Sequence, residues 1–156
     1  MTVEEIAENK AAICRSILES LPDWFGIPES IDRYADEVVR LPMFGVRRDG
    51  VVAGFVTIET HNPHVAEIHV IAVRQPFHRQ GIGRVLIEAC ADNCRVAGRE
   101  ILLVKTRAAS SDDDASYAAT RQFYTAMDFR PLLESATFWD VENPCLLMGK
   151  MIRRRP

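Results

Sequence analysis

The sequence predicts a mixed α/β fold: a central mixed β-sheet with helices on its faces. Three observations carry this expectation. A length of 156 residues suits one compact core and leaves no room for a second full domain. The composition, 47% hydrophobic and 26% charged, is that of an average soluble chain and excludes disordered, collagen-like and coiled-coil classes. Helical and strand periodicities alternate in the order helix, helix, hairpin, strand, helix, strand, helix, strand, strand.

From Thr2 to Leu21, Ile6, Ile13, Cys14, Ile17, Leu18 and Leu21 recur at helical spacing, and Thr2-x-x-Glu5 reads as a capping box, so a first helix is expected there. A loop containing Trp24 and Phe25 follows. Ser30 is expected to cap a second helix whose Ile31, Tyr34, Ala35 and Val38 share a face. Pro42–Arg48 and Val51–Thr60 flank Asp49-Gly50, a dipeptide suited to the positive φ angles of a tight hairpin turn.

After His61-Asn-Pro-His64, residues Val65–Arg74 read as a strand with Glu67, His69, Ile71 and Val73 on one face and Ala66, Ile68, Val70 and Ala72 on the other. Two polar side chains on an otherwise apolar strand face are unusual. Gly81–Ala97 is helical by pattern, with Ile82, Val85, Leu86, Ala89, Cys90 and Ala97 inward and Gly98 placed to end it. Ile101–Val104 reads as a buried strand, Ser116 as the cap of a helix over Tyr117–Met127, and Phe129–Trp139 and Cys145–Ile152 as closing strands. An exposed closing strand such as Pro144–Met148 would invite pairing with a second copy, a weak pointer to a homodimer.

No apolar run approaches the roughly 20 residues that span a bilayer, and the N-terminus is acidic where a signal peptide is basic, so a soluble, cytoplasmic protein is expected. Nineteen Lys and Arg against 22 Asp and Glu leave no electrostatic footprint for nucleic acid or an anionic membrane, whereas a small cationic substrate is compatible. Cys14, Cys90, Cys94 and Cys145 are too few and scattered for a disulfide framework, and although Cys90 and Cys94, four apart on a helix, could face one metal, no second pair or C-x-x-C accompanies them, so no metal is expected. Asp112-Asp113-Asp114 and Arg153-Arg154-Arg155 read as a solvated loop and tail.

The chemistry concentrates between Glu67 and Arg84. A strand leads through a short loop into a helix start bearing Gly81 and Gly83, where backbone N–H groups and the helix field favour an anion, and Arg79 and Arg84 add charge. The same residues satisfy neither a Walker P-loop nor a dinucleotide-binding fingerprint.

His78-Arg79-Gln80-Gly81-Ile82-Gly83 resembles motif A of the GNAT superfamily of acyl-CoA N-acyltransferases, with His78 where Gln or Arg is usual. The resemblance continues in Phe123, Tyr124 and Phe129, which match a second family pattern, while Tyr117, Thr120 and Asp128 depart from it; Tyr117 replaces an Asn that contacts the pantetheine arm. Residues 42–152 carry the likeness, and the short N-terminal strand of such proteins has no counterpart in the pattern here.

The resemblance implies one N-acetyltransferase domain over 1–156, with N-terminal helices and an acceptor-side loop in 1–41 and the sheet core in 42–152. It implies acetyl-CoA between two splayed parallel strands, Val65–Arg74 and Glu100–Thr106, phosphates on Gln80–Arg84, and pantetheine along Ile71, Ala72 and Val73. It implies direct attack by a primary amine of a small molecule or peptide in a ternary complex. Glu67, eleven residues before His78, is the first candidate base and His69 its competitor. Tyr124 matches the residue that protonates the departing thiolate. Protein Lys or N-terminal acetylation, a longer acyl donor and a non-catalytic acyl-CoA sensor remain as alternatives.

Overall fold

Asp49 and Gly50 sit at φ 52° and 81°, the left-handed pair that a two-residue hairpin turn requires, and they join β2 (Met43–Arg48) to β3 (Val51–Asn62). The protein is described from a computed structural model covering residues 1–109, 115–140 and 142–153. Its other elements are β1 (Val3–Glu5), α1 (Lys10–Glu19), α2 (Pro28–Glu37), β4 (Val65–Val73), α3 (Ile82–Val96), β5 (Ile101–Arg107), α4 (Ala115–Ala126), β6 (Arg130–Asp140) and β7 (Asn143–Met151). These seven strands and four helices form the mixed α/β architecture expected from the sequence. Residues 112–114, 154 and 155, read above as solvated segments, lie outside the described residues.

The chain divides into two compact units, Met1–Glu59 with Ile68–Asn93, and Thr60–Glu67 with the chain from Cys94 onward. In the first, β1, β2, β3 and β4 follow one another in strand order. Cys14, Ile17 and Leu18 of α1, Ile31 of α2 and Phe55 of β3 share its core. Val46 pairs with Gly54 but Arg47 with Val52, so Ala53 is skipped by the ladder, and its carbonyl instead accepts the N–H of Arg74 at 2.8 Å. In the second unit β7 pairs antiparallel with both β5 and β6.

The N-terminus differs from expectation. Val3–Glu5 is a strand, paired Val3 to Val46, and the Ile6 N–H continues the ladder to the Met43 carbonyl at 2.8 Å. That pairing, together with the Glu4–Arg47 ion pair, outcompetes the capping box, and α1 starts only after Asn9 at φ 59°. Ser30 does not cap α2: Pro28 occupies its first turn, where the missing N–H costs nothing, and Ser30 falls inside. Ser116 likewise lies within α4. Ala97 is exposed, while Ile87 and Cys94 are buried in its place. β7 is paired on both sides, so Pro144–Met148 is not the open strand edge expected from the sequence; of the exposed apolar side chains on the closing strands, Leu132, Leu133, Phe138 and Trp139 belong to β6 and Met151 to β7.

Gly98 ends α3 as expected. At φ 76° it donates to the Arg95 carbonyl while Arg99 donates to that of Cys94, the two-bond Schellman pattern. All four cysteines are free and buried. Burial pushes the Cys14 thiol up to about 12, partly opposed by Arg15, and raises Cys94 and Cys145 as well. An unfolded thiol ionises near 9 and the folded Cys14 only near 12, so its contribution to stability is complete below about 9 and is lost as pH rises toward 12. Urea midpoints are therefore expected to fall between pH 9 and 11, and Cys14→Ser is expected to weaken that dependence.

Candidate active site

The glycine-bearing turn is built from the end of β4. Arg74 is fixed three ways: its N–H to Ala53, its Nε to the Val52 carbonyl at 3.0 Å, and its guanidinium to Ser16 Oγ at 3.0 Å. A short 3-10 turn, Gln75–Phe77, follows, and the His78 ring reaches back so that Nε2–H donates to the Val73 carbonyl at 2.6 Å. Trp24 meets that ring edge-on at 5.7 Å. Arg79 then enters the left-handed region at φ 60° and Gly81 at φ 83°, with Arg79, Gln80, Gly81 and Arg84 exposed.

These two left-handed residues lie directly before Ile82 opens α3, where a helix leaves its first backbone donors without helical partners. Nothing but the Met1 methyl, at 4.0 Å, stands where a Cβ on Gly81 would point, so the cradle is open. Gly54 seats it: a Cβ there would come within 3.0 Å of Ile82 and Val73 side chains and 3.2 Å of the Ala72 carbonyl. Ile71 and Val73 are partly exposed and Ala72 is buried, as their alternation on β4 requires.

The two polar residues of β4 have different surroundings. Glu67, in the second unit, is 7% exposed. Its Oε1 accepts from His61 Nε2 at 2.8 Å and its Oε2 faces Lys105 Nζ at 3.3 Å. Lys105 lies over the Phe138 ring at 5.5 Å, and Cys145 is close enough that Lys105 opposes the burial-driven rise of its thiol while Glu67 adds to it.

His69, in the first unit, has a side chain 6% exposed and commits both ring nitrogens. Nε2 faces Glu37 Oε2 at 2.8 Å, which requires Nε2–H as donor, and Nδ1 faces Thr57 Oγ1 at 3.0 Å. Tyr34 packs edge-on against the ring at 5.4 Å, and burial pushes the Tyr34 phenol up, partly opposed by Arg33.

Tyr124 is placed by the way α4 ends. Asp128 takes φ 69° and donates to the Thr125 carbonyl, while the Phe129 N–H donates to that of Tyr124 at 3.0 Å. This second Schellman pattern brings its usual apolar contact, the Tyr124 and Phe129 rings at 5.5 Å, and Tyr124 is 5% exposed. Lys150 Nζ ties the helix end by donating to the Met127 carbonyl at 2.8 Å. Tyr117 stacks under the Arg107 guanidinium at 5.8 Å.

Residues 11–129 match the model of the acetyltransferase (GNAT) family. The chain belongs to that family. Solved structures agree in fold. A putative GNAT-family acetyltransferase from Desulfovibrio desulfuricans superposes with a TM-score of 0.82 at 20% identity, over 97% of this chain and 99% of that one. The ribosomal-protein-S18-alanine N-acetyltransferase from Escherichia coli gives 0.77 at 21%, over 99% and 96%. A GNAT acetyltransferase from Elizabethkingia anophelis with acetyl-CoA bound gives 0.72 at 17%, over 96% and 97%. No curated protein matches the sequence.

As a GNAT acetyltransferase the chain is an acyl-CoA-dependent transferase. No helix among the described residues is long and apolar enough to cross a membrane. Sequence reasoning missed five residues around the GNAT motifs: Gly54 beneath the turn, Glu37 and Thr57 on His69, and His61 and Lys105 on Glu67. Only two carried a local signal. Gly54 interrupts an otherwise apolar strand, and His61 lies across the hairpin turn from Glu67.

The His69 chain yields a test. Removing the Glu37 acceptor leaves a ring N–H unsatisfied in a buried place, so Glu37→Ala is expected to lose about 1–3 kcal/mol in urea unfolding. Glu37→Gln, which keeps an acceptor, is expected to lose less.

Proposed function

We propose that the protein transfers the acetyl group of acetyl-CoA to a primary amine of a small molecule or peptide, by direct attack within a ternary complex. The observation that carries the reading is the turn at Arg79 and Gly81, whose left-handed residues open a cradle of backbone donors at the start of α3. Backbone groups of Gln80–Arg84 hold the pyrophosphate, with Arg79 and Arg84 beside it, and pantetheine runs along Ile71–Val73. His78 acts by holding the Val73 carbonyl.

An alkylammonium, with a reference pKa near 10, must lose a proton before it can attack. Glu67 is assigned that role. His69 has no nitrogen left to accept, both being used by Glu37 and Thr57, whereas each Glu67 oxygen keeps a lone pair beyond His61 and Lys105. His69 therefore serves to position α2 against the sheet strands. The amine nitrogen bonds to the thioester carbon, a backbone N–H near Ile71–Val73 steadies the oxyanion, the C–S bond breaks, the leaving thiolate takes the Tyr124 proton, and the second proton shed by the nitrogen as the amide forms restores the phenol.

Calorimetric titration with acetyl-CoA tests the donor site without a guess about the acceptor. Saturable binding is expected for the wild type and loss of binding for folded Gly81→Glu, which brings a carboxylate and a strained φ to the cradle; absence of wild-type binding would overturn the reading. With an acceptor in hand, Tyr124→Phe is expected to lower kcat roughly a hundredfold while leaving acetyl-CoA affinity nearly unchanged.

A further inference from the structure

The chain carries only three lysines, Lys10, Lys105 and Lys150, among 19 basic residues. None of them is fully exposed. Lys10 Nζ donates to the Leu41 carbonyl at 2.7 Å and Lys150 Nζ to the Met127 carbonyl at 2.8 Å, with the Asp128 carboxylate at 3.9 Å and largely in solvent. Lys105 differs from both. Its ammonium lies 3.3 Å from Oε2 of a carboxylate 7% exposed, with an aromatic face at 5.5 Å on another side. Carboxylate and aromatic face together are the groups by which proteins hold a primary ammonium.

Resting on the reading of Glu67 as base, we infer that Lys105 occupies the place of the acceptor amine on Glu67, and that without an external acceptor the protein acetylates Lys105 itself. In that step the Lys105 ammonium gives a proton to the Glu67 carboxylate, and Nζ bonds to the thioester carbon of acetyl-CoA. The C–S bond breaks, and the CoA thiolate leaves and takes up the second proton that Nζ sheds as it becomes the amide nitrogen. The charged and polar groups in contact with Glu67 are His61 from β3 and Lys105 from β5, and its charge is also felt by the Cys145 thiol of β7. Acetylation removes the Lys105 charge, ending both its ion pair with Glu67 and its contact with the Phe138 ring, and leaves His61 as the partner of the carboxylate.

The test is incubation of the purified protein with acetyl-CoA, followed by peptide mass mapping over time. The expected result is one acetyl group at Lys105, appearing at a first-order rate independent of protein concentration and about a hundredfold faster than at Lys10 or Lys150. Folded Glu67→Gln is expected to slow Lys105 modification by a similar factor, and Gly81→Glu to abolish it. Lys105→Arg, which keeps the charge, should leave the protein unmodified and reports on folding. An unmodified Lys105 in wild type that binds acetyl-CoA overturns the inference and leaves the proposed function standing. A rate at Lys105 equal to that of a free peptide spanning residues 101–107, or unchanged in Glu67→Gln, also overturns it. Failure of the wild type to bind acetyl-CoA overturns the proposed function and the inference together.

Discussion

The two-residue period of β4 is the constraint from which the candidate site follows. Ala66, Ile68, Val70 and Ala72 are buried on one face, which commits Glu67, His69, Ile71 and Val73 to the other. A register slip of one residue would send Glu67 and His69 into the core. Because the second face is also largely covered, its polar residues need partners, and each has two: His61 and Lys105 for Glu67, Thr57 and Glu37 for His69. The apolar end of the same face, Ile71 and Val73, stays partly open, and there the backbone is the available polar group.

Backbone handedness fixes the rest. Arg79, Gly81 and Asp128 all adopt positive φ, and each stands next to a group with a proposed chemical role. Arg79 and Gly81 shape the turn directly before α3. Asp128 ends α4 so that Phe129, itself fully buried, packs on Tyr124 and settles its ring. Only Gly takes such angles without steric cost, so Arg79 and Asp128 carry local strain, which at Asp128 is offset by the two hydrogen bonds that close α4 and by the packing of Phe129 on Tyr124.

What could be read from the sequence was what neighbouring residues decide among themselves. The Asp49-Gly50 turn, the alternation of β4 and the end of α3 at Gly98 all depend on contacts within a few positions and formed as expected, while the apolar face of α3 matches the expectation except at Ala97, which is exposed, and at Ile87 and Cys94, which are buried. β1 could not be read this way: three residues have no strand identity until Val46, Gly45 and Phe44 pair with them, forty residues away in sequence. The expected caps at Ser30 and Ser116 failed because hydroxyl chemistry says where a helix is able to begin, not where its neighbours let it begin. Glu67 and His69 stood out as polar residues on an apolar strand, but Lys105 and Glu37 come from other elements and no local pattern points to them.

Charge balance decides how Glu67 can be used. A nearly buried carboxylate stripped of every partner costs roughly 3–5 kcal/mol, and Glu67 avoids that cost through the Lys105 ammonium and the His61 hydrogen bond together. A cationic acceptor changes that account. Arriving as an ammonium it replaces one positive charge by another, so Lys105 can swing out on its four-carbon stem toward solvent without leaving Glu67 alone. A neutral or anionic acceptor offers no such exchange, because displacing Lys105 would leave the carboxylate with the His61 hydrogen bond but without its lysine ammonium. Under the proposed function the Glu67–Lys105 pair would select for charge before any shape is tested, and it would do so with a flexible lysine where sixteen of the chain's basic residues are arginine.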